Sequence, residues 1–524
     1  MLETSCSLIG QKKEHSYMVY LVLFLSLLVF LYSVKAKADY MQAYGLHPDI
    51  NVISTPAKNL LKFGNLKYSG HDLAFRVIRD GYDDLDNLEQ PFWMDYIGPV
   101  FYYLPFIAIW GSKTGMSILL AQIFSLLALV HFIFYFFRDK PIVLTSSLVL
   151  LVTSSTLDFS LWLSPTVILY LLFYVVFYAK LDYFIEHPLY LGLLLGLAYQ
   201  FRPEVLFILP SLAIYLIFTR EKNLFDFLKF FLKAVFTMAS TLVLFLLIRS
   251  GLGAGASVDH KLFVLGTDVL EPHFGVAFGN TPYTISDLFT PEALDAFLNK
   301  FMFRVKWFFS FKHFCWKRPD LIFYYILIGL AALNYKKIDK KIIAEIILIV
   351  SIISFGVCLG WIGCDNRKYY DIPLFIIAMF FVKNSQLLIF ENGIKSIVFY
   401  ALSFFVAFSS IQYSNKTYSI SENIFKEESN IAVAKFLKTY LPSDARLISH
   451  NPLFWTWYAD GKHNVFYDNS TYLDPKLIEN YQPDALLLST PIKAGSSNEF
   501  KFGDLKPRYS LKTRDGNTHY LFLK

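Results

Sequence analysis

Apolar runs close to the length that crosses a bilayer recur along this chain as far as residue 411, and that recurrence limits its fold more than any other feature. They can be drawn at Tyr17–Val34, Ser117–Phe137, Pro141–Thr156, Leu161–Tyr178, Leu189–Tyr199, Val205–Phe218, Phe230–Ile248, Leu321–Leu333, Ile342–Trp361, Tyr370–Val382 and Ile394–Ile411, about eleven in all. A spanning helix needs about 20 apolar residues, so the shorter runs would be tilted, broken or partly interfacial. Composition agrees: 55% of the 524 residues are hydrophobic and 17% charged, against roughly a quarter charged in soluble proteins. The 53 Phe and 34 Tyr suit hydrocarbon and its boundary with water. The net charge of +6 comes without a Lys/Arg tract, which argues against a nucleic-acid partner. Cys6, Cys315, Cys358 and Cys364 form no metal-binding spacing. Cys315 and Cys364 could share the outer face, leaving either one disulfide or four free thiols.

The loops between the runs set the orientation. Arg138-Asp139-Lys140, the 179–188 turn, the segments 219–229 and 334–341, and 383–395 carry the basic residues and fall on the side of the N-terminus, which the positive-inside bias makes cytoplasmic. Pro99–Trp110 breaks this parity if it spans. It is short, holds Pro99 and Pro105, and is therefore read as an outer interfacial or re-entrant segment. The first run is followed by Ala36-Lys37-Ala38, an A-x-A cleavage pattern. Its length favours a retained span, and in either case Asp39 emerges outside.

The expected fold is thus an all-α polytopic membrane domain over residues 1–411, with long outer loops at 35–115 and 251–320, followed by a small α/β extracytoplasmic domain at 412–524. In that tail a helical pattern at Glu422–Thr439 precedes short apolar runs at Arg446–Ser449, Asn464–Tyr467, Ala485–Ser489 and Tyr520–Leu523.

Few ionisable residues lie inside the runs, whereas carriers usually need them at the midplane, so the polar chemistry is expected at the outer ends. Asp39 follows the first run directly, and Asp72, Asp80, Asp83, Asp84, Asp86, Glu89 and Asp95 follow in the same loop. A carboxylate at the edge of the apolar phase can have a raised pKa and act as a general base toward a hydroxyl; Asp39 could equally be a solvated helix terminator. In Gln200-Phe201-Arg202-Pro203-Glu204, Pro203 can open a helix with Glu204 in its first turn. Arg202 then projects a fixed cation that either grips a phosphate or pairs with Glu204. Asp365-Asn366-Arg367-Lys368-Tyr369-Tyr370 places two cations and two Tyr at another outer end, fit for a phosphate head group or for aromatic anchoring. His313, Lys317 and Arg318 are less specific, and His260, His273 and His450 are isolated.

Together these segments resemble the GT-C membrane glycosyltransferases, which take a sugar from a polyprenyl-phosphate carrier on the outer face; aminoarabinose transferases and protein O-mannosyltransferases are examples. Ala38-Asp39-Tyr40 sits where that superfamily has its acidic motif, and Thr55–Tyr68 is similar to the loop pattern after it. Asp95–Leu104 resembles the acidic-Pro-Pro-aromatic stretch, Leu197–Pro210 holds an Arg-Pro-Glu, and Asn366–Pro373 is similar to the late Arg-Tyr-Pro element. Asp158 falls in an outer turn where some members carry an acid. Tyr40 replaces a second acid of many relatives, and Gly98-Pro99 replaces the Pro-Pro pair with no preceding Lys. Sugar and acceptor are left open by these departures.

The resemblance implies an inverting transfer from a polyprenyl-phosphate-linked donor to a hydroxyl of a glycan, lipid or protein acceptor. It casts Asp39 as the catalytic residue and Asp95, Asp158, Arg202, Glu204, Arg367, Lys368 and Tyr369 as substrate-binding residues. No nucleotide or metal is required, although the outer carboxylates could hold a divalent ion. The competing readings are a flippase or transporter of lipid-linked glycans, and a polymerase or ligase. The expected location is the bacterial inner membrane, with membrane lipids as neighbours; Asn415 and Asn469 lie in N-x-[ST] sequons that would matter in a secretory pathway.

Overall fold

The structure, a computed structural model, describes residues 48–66, 97–111, 116–140, 166–219, 224–253, 319–359, 368–388, 426–449, 458–461, 463–466, 482–489, 506–513 and 516–524, with scattered single residues elsewhere. Twelve helices are described: α1 Pro48–Phe63, α2 Gly98–Trp110, α3 Met116–Phe136, α4 Thr166–Ala179, α5 Leu181–Glu186, α6 Pro188–Tyr199, α7 Ile208–Thr219, α8 Leu224–Gly251, α9 Pro319–Leu333, α10 Lys340–Leu359, α11 Lys368–Lys383 and α12 Lys426–Tyr440. Five strands follow: β1 Arg446–Ser449, β2 His463–Phe466, β3 Ala485–Ser489, β4 Lys506–Lys512 and β5 Thr518–Leu523. The chain divides into two compact units, one of residues 1–37, 122–243 and 298–419, the other of 38–121, 244–297 and 420–524.

Two of the described helices are long and apolar enough to cross a membrane, Ser117–Phe136 and Phe225–Gly251, each with a mean hydropathy of 2.2. Six shorter apolar helices accompany them, including Val167–Ala179, Pro188–Tyr199 and Ile372–Lys383. The run expected at 141–156, and most of those at 17–34 and 394–411, lie outside the described residues, so the structure does not reproduce a count of eleven. Helix α8 presents Phe225, Leu232, Phe236 and Leu247 outward, each at least 65% exposed. Such a face is costly in water and suits hydrocarbon.

The first unit is held by helix packing. Its core runs through Leu129, Ile133, Tyr174, Tyr178, Leu195, Leu212, Leu348 and Phe375, contributed by α3, α4, α6, α7, α10 and α11. Asp339 caps α10 by accepting a hydrogen bond from the Ile342 amide at 2.8 Å. Where α6 meets α8, Gly192 and Gly196 stand one turn apart. A Cβ on Gly192 would strike the Ala234 carbonyl and come within 2.9 Å of Thr237 Cβ, and one on Gly196 would come within 2.6 Å of Thr241 Cβ. Absence of a side chain is what lets the two backbones approach.

A polar knot joins α4, α10 and α11. Glu345, 2% exposed, takes hydrogen bonds from Tyr178 Oη at 2.7 Å and Asn384 Nδ2 at 2.8 Å, and pairs with Lys383 Nζ at 2.9 Å. Lys383 also stands 4.4 Å from the centre of the Tyr178 ring. Asp182 of α5 bonds Lys341 of α10 at 2.8 Å nearby. Glu345 is one of the few ionisable residues inside the expected runs, and it is tolerated because both of its oxygens are satisfied.

In the second unit the strands form a mixed sheet of order β2-β1-β3-β5-β4. Strand β1 is parallel to β2 and β3, and β5 is antiparallel to β3 and β4. Expected and observed strands agree at Arg446–Ser449 and Ala485–Ser489, while the one drawn at 464–467 begins a residue earlier. β4 was not expected from the sequence: KPRYSLK has little apolar alternation and gains its order from pairing with β5 across a bulge at Pro507/Tyr509.

Two stability tests follow from this packing. Gly192→Ala is expected to destabilise the detergent-solubilised protein by about 1–3 kcal/mol, as overpacking does, measured by thermal unfolding. Glu345→Ala strands the Lys383 ammonium and is expected to cost about 3–5 kcal/mol, whereas Glu345→Leu/Lys383→Leu costs less because no buried charge is left alone.

Candidate functional site

Charged side chains of the second unit gather where α1 meets the loop before β2. Lys58 and Lys62 are one turn apart on α1 and share a face. Both reach Asp460 Oδ1 at 2.7 Å, and Lys438 of α12 reaches Oδ2 at 3.1 Å. Asp460 adopts φ 63°, a left-handed conformation that Asp tolerates better than most residues. The adjoining loop fixes it there: the Gly461 amide donates to the Trp455 carbonyl at 2.8 Å, and a Cβ on Gly461 would collide with the Trp455 indole. Trp455 is fully buried and donates from Nε1 to the Ala445 carbonyl at 3.3 Å.

Burial governs the titration of this cluster. It pushes the Lys58 ammonium down to about 8 against the pull of Asp460. Burial alone would raise the Asp460 carboxyl, but the Lys58 charge, with hydrogen bonds from Lys58, Lys62 and Lys438, outweighs it and holds the group well below the usual carboxylate range.

A second basic residue marks the end of α8. Arg249 is 3% exposed, and three residues on, the Leu252 carbonyl accepts from the Leu66 amide at 2.9 Å, so the segment after α1 and the end of α8 are tied by backbone. Helix α2 packs on α1 and is anchored by Tyr102 Oη, which donates to the Ala121 carbonyl at 2.8 Å.

Of the residues expected from sequence, Arg202 is described in the first unit. It is half-buried and extended at φ −155°, directly before a 3-10 turn, Pro203–Phe207, that leads into α7. Pro203 thus opens a 3-10 turn instead of an α-helix. Glu204 lies in that turn and Lys368 and Tyr369 start α11, with their side chains outside the described residues. Asp39, Asp95, Asp158 and Arg367 lie outside the described residues altogether. Most of the expected set thus lies outside the described residues. Among the described residues no group of His, Cys, Asp and Glu is arranged to hold a metal ion.

Lys58, Asp460 and Arg249 were missed by sequence reasoning. Arg249 carried a readable signal, a lone cation closing a long apolar run, which marks a charge at a phase boundary. Lys58 and Asp460 carried none, since their partners come from distant parts of the chain.

No protein-family profile matches the sequence, and no protein of curated function is detectably similar to it in sequence. Structure is more informative. A crystal structure of ArnT from Cupriavidus metallidurans bound to undecaprenyl phosphate matches with a TM-score of 0.53 at 11% identity, over 96% of this chain and 97% of that one. The chain has the GT-C fold. The apo state of the same ArnT gives a TM-score of 0.51 at 11% identity over 97% and 98% of the two chains. A GT-C fold accounts for the mixture seen here, in which a helical unit is interleaved in sequence with a second unit that carries the terminal sheet.

The pH dependence of stability tests the cluster. With its folded-state pKa depressed, Asp460 contributes stability above its usual value of 3.8, and this is lost as the pH falls further. Lys58 acts in the other sense: between about 8 and 10.5 the unfolded chain holds the extra proton, so its contribution rises with pH there. Thermal unfolding should show a drop in Tm below about pH 4 that Asp460→Asn abolishes, and an alkaline rise that Lys58→Met removes.

Proposed function

We propose that the protein is an integral membrane glycosyltransferase that moves a sugar from a polyprenyl-phosphate-linked donor to an acceptor hydroxyl on the outer face of the bacterial inner membrane. The observation that carries this reading is the GT-C fold over 96% of the chain, matched to an ArnT crystallised with undecaprenyl phosphate. Residues 1–411 form the membrane domain in this reading and 412–524 the extracytoplasmic domain, with a cytoplasmic N-terminus.

The chemistry is a single displacement with inversion. The acceptor oxygen bonds to the anomeric carbon as the bond from that carbon to the phosphate oxygen breaks, and the electron pair leaves with the polyprenyl phosphate. Asp39 takes the hydroxyl proton, while Arg202, Arg367 and Lys368 counter the charge growing on the phosphate. Asp95, Asp158, Glu204 and Tyr369 line the substrates. Arg249, buried in the last turn of an apolar helix, is read as a further phosphate-binding cation on its own account. Guanidinium suits this role because it stays charged and donates to two oxygens at once.

Transfer from radiolabelled polyprenyl-phosphate sugars to membrane-extract acceptors, by purified protein in proteoliposomes, tests the assignment. Asp39→Asn is expected to lower turnover by about 10²–10⁴-fold with the protein still folded. Arg249→Met is expected to lower it by about 10²–10³-fold. Wild-type protein that carries lipid-linked sugar across the bilayer without forming a glycosidic bond would refute the proposal in favour of a flippase.

A further inference from the structure

The turn between α9 and α10 holds the lysines Lys336, Lys337, Lys340 and Lys341, all of them exposed. Two are held by the protein itself. Lys341 pairs with Asp182 of α5 at 2.8 Å, and Lys337 donates to the Gln386 carbonyl at 3.4 Å. Asp339, the acid of the turn, accepts from the Ile342 amide as the cap of α10. Among the described residues nothing hydrogen-bonds or pairs with the ammonium of Lys336 or Lys340. Orientation by the positive-inside bias needs only the number of such charges in a loop. Here two unpaired ammonium groups stand beside two fixed ones, which also concentrates positive potential at one place.

Along α10 from these lysines runs an apolar stripe that the protein leaves uncovered. Ile343, Ile346 and Val350 are all exposed, and their spacing of three and four residues gives them one helical face, with Lys340 one turn before them. The opposite face sends Leu348 and Ile352 into the core, where α10 packs on α7. At the head of the stripe Leu333 is 79% exposed and Tyr335 64%. Tyr favours the depth at which hydrocarbon gives way to head groups. A cationic end followed on the same helix by an apolar face is complementary to a phospholipid, whose phosphate would meet the lysines while an acyl chain covers the stripe. A soluble anion or an acidic peptide would answer the lysines and leave the stripe bare.

We infer that the α9–α10 turn binds an anionic phospholipid, its phosphate held by Lys336 and Lys340 and an acyl chain laid along Ile343, Ile346 and Val350. Lys337 and Lys341 add positive potential from fixed positions. A net negative head group is preferred because the ammonium of a zwitterionic one offsets the attraction. The residues of the site all belong to the first unit, and none is assigned to sugar transfer, so the inference stands independently of that reading. Bound lipid stabilises the folded protein by mass action.

The test uses full-length protein in detergent, with bound lipid counted by native mass spectrometry and Tm followed as phosphatidylglycerol or phosphatidylcholine is added. Wild type is expected to retain phosphatidylglycerol in preference to phosphatidylcholine and to gain Tm with it. Lys336→Met/Lys340→Met should bind phosphatidylglycerol about 30-fold more weakly, the loss expected for two surface lysines, and Lys336→Arg/Lys340→Arg should bind it as wild type does. Lys229→Met/Lys233→Met removes the same charge from exposed positions of α8 and should leave binding unchanged. Inorganic phosphate at constant ionic strength should leave Tm where it is. The inference is overturned if the two Met pairs weaken binding equally, which makes the attraction one of net charge. It is also overturned if inorganic phosphate raises Tm as much as the lipid does, the mark of a soluble anion, or if Lys336→Met/Lys340→Met changes the proportion of dimer and not the lipid count, the mark of a second copy of the chain.

Discussion

Buried charge must be answered by a partner, and the two units of this protein are each organised around one such answer. In the first, Glu345 is satisfied by Lys383, Tyr178 and Asn384, which fixes α4, α10 and α11 to one another. In the second, Lys58 pairs with Asp460, which links α1 to the C-terminal segment. Around these points the structure is apolar packing, tight enough at Gly192 and Gly196 that a methyl group does not fit. An unpaired charge costs several kcal/mol in a low-dielectric interior, roughly as much as a domain can lose. The pairs therefore decide which helices meet, and the apolar surfaces decide how closely.

Much of the helical fold was legible because its signals are local. Runs ended by Pro188, Pro319 or Lys383 gave helices whose observed limits fall within two residues of the expected ones. Agreement is looser elsewhere: α8 extends back to Leu224 because Lys229, at the edge of the expected run, does not interrupt its hydrogen bonding, and the run drawn from Val205 begins as a 3-10 turn before α7. Strands β1 and β3 were legible for the same reason. β4 was not, since KPRYSLK becomes a strand only through β5.

The site was less legible. Asp39 and Arg202 stood out because a charge at the edge of an apolar run is conspicuous in any sequence. Lys58 sat unnoticed in α1, and Asp460 was one acid in an ordinary Asp-Gly turn; nothing local foretells that three lysines share it. The GT-C likeness bridges this gap for the fold alone, at 11% identity, and leaves the assignment of each side chain to chemistry. Arg249 is the clearest addition to the proposed function, a guanidinium buried in the last turn of an apolar helix.

Recognition of the lipid phosphate is the central claim, and photocrosslinking tests it most directly. Purified protein in nanodiscs is labelled with a photoreactive polyprenyl phosphate, and the labelled peptides are mapped by mass spectrometry. The account predicts labelling near the end of α8 that excess polyprenyl phosphate suppresses and the uncharged polyprenol does not. Equal suppression by the two lipids, or labelling scattered over the helices, would contradict it.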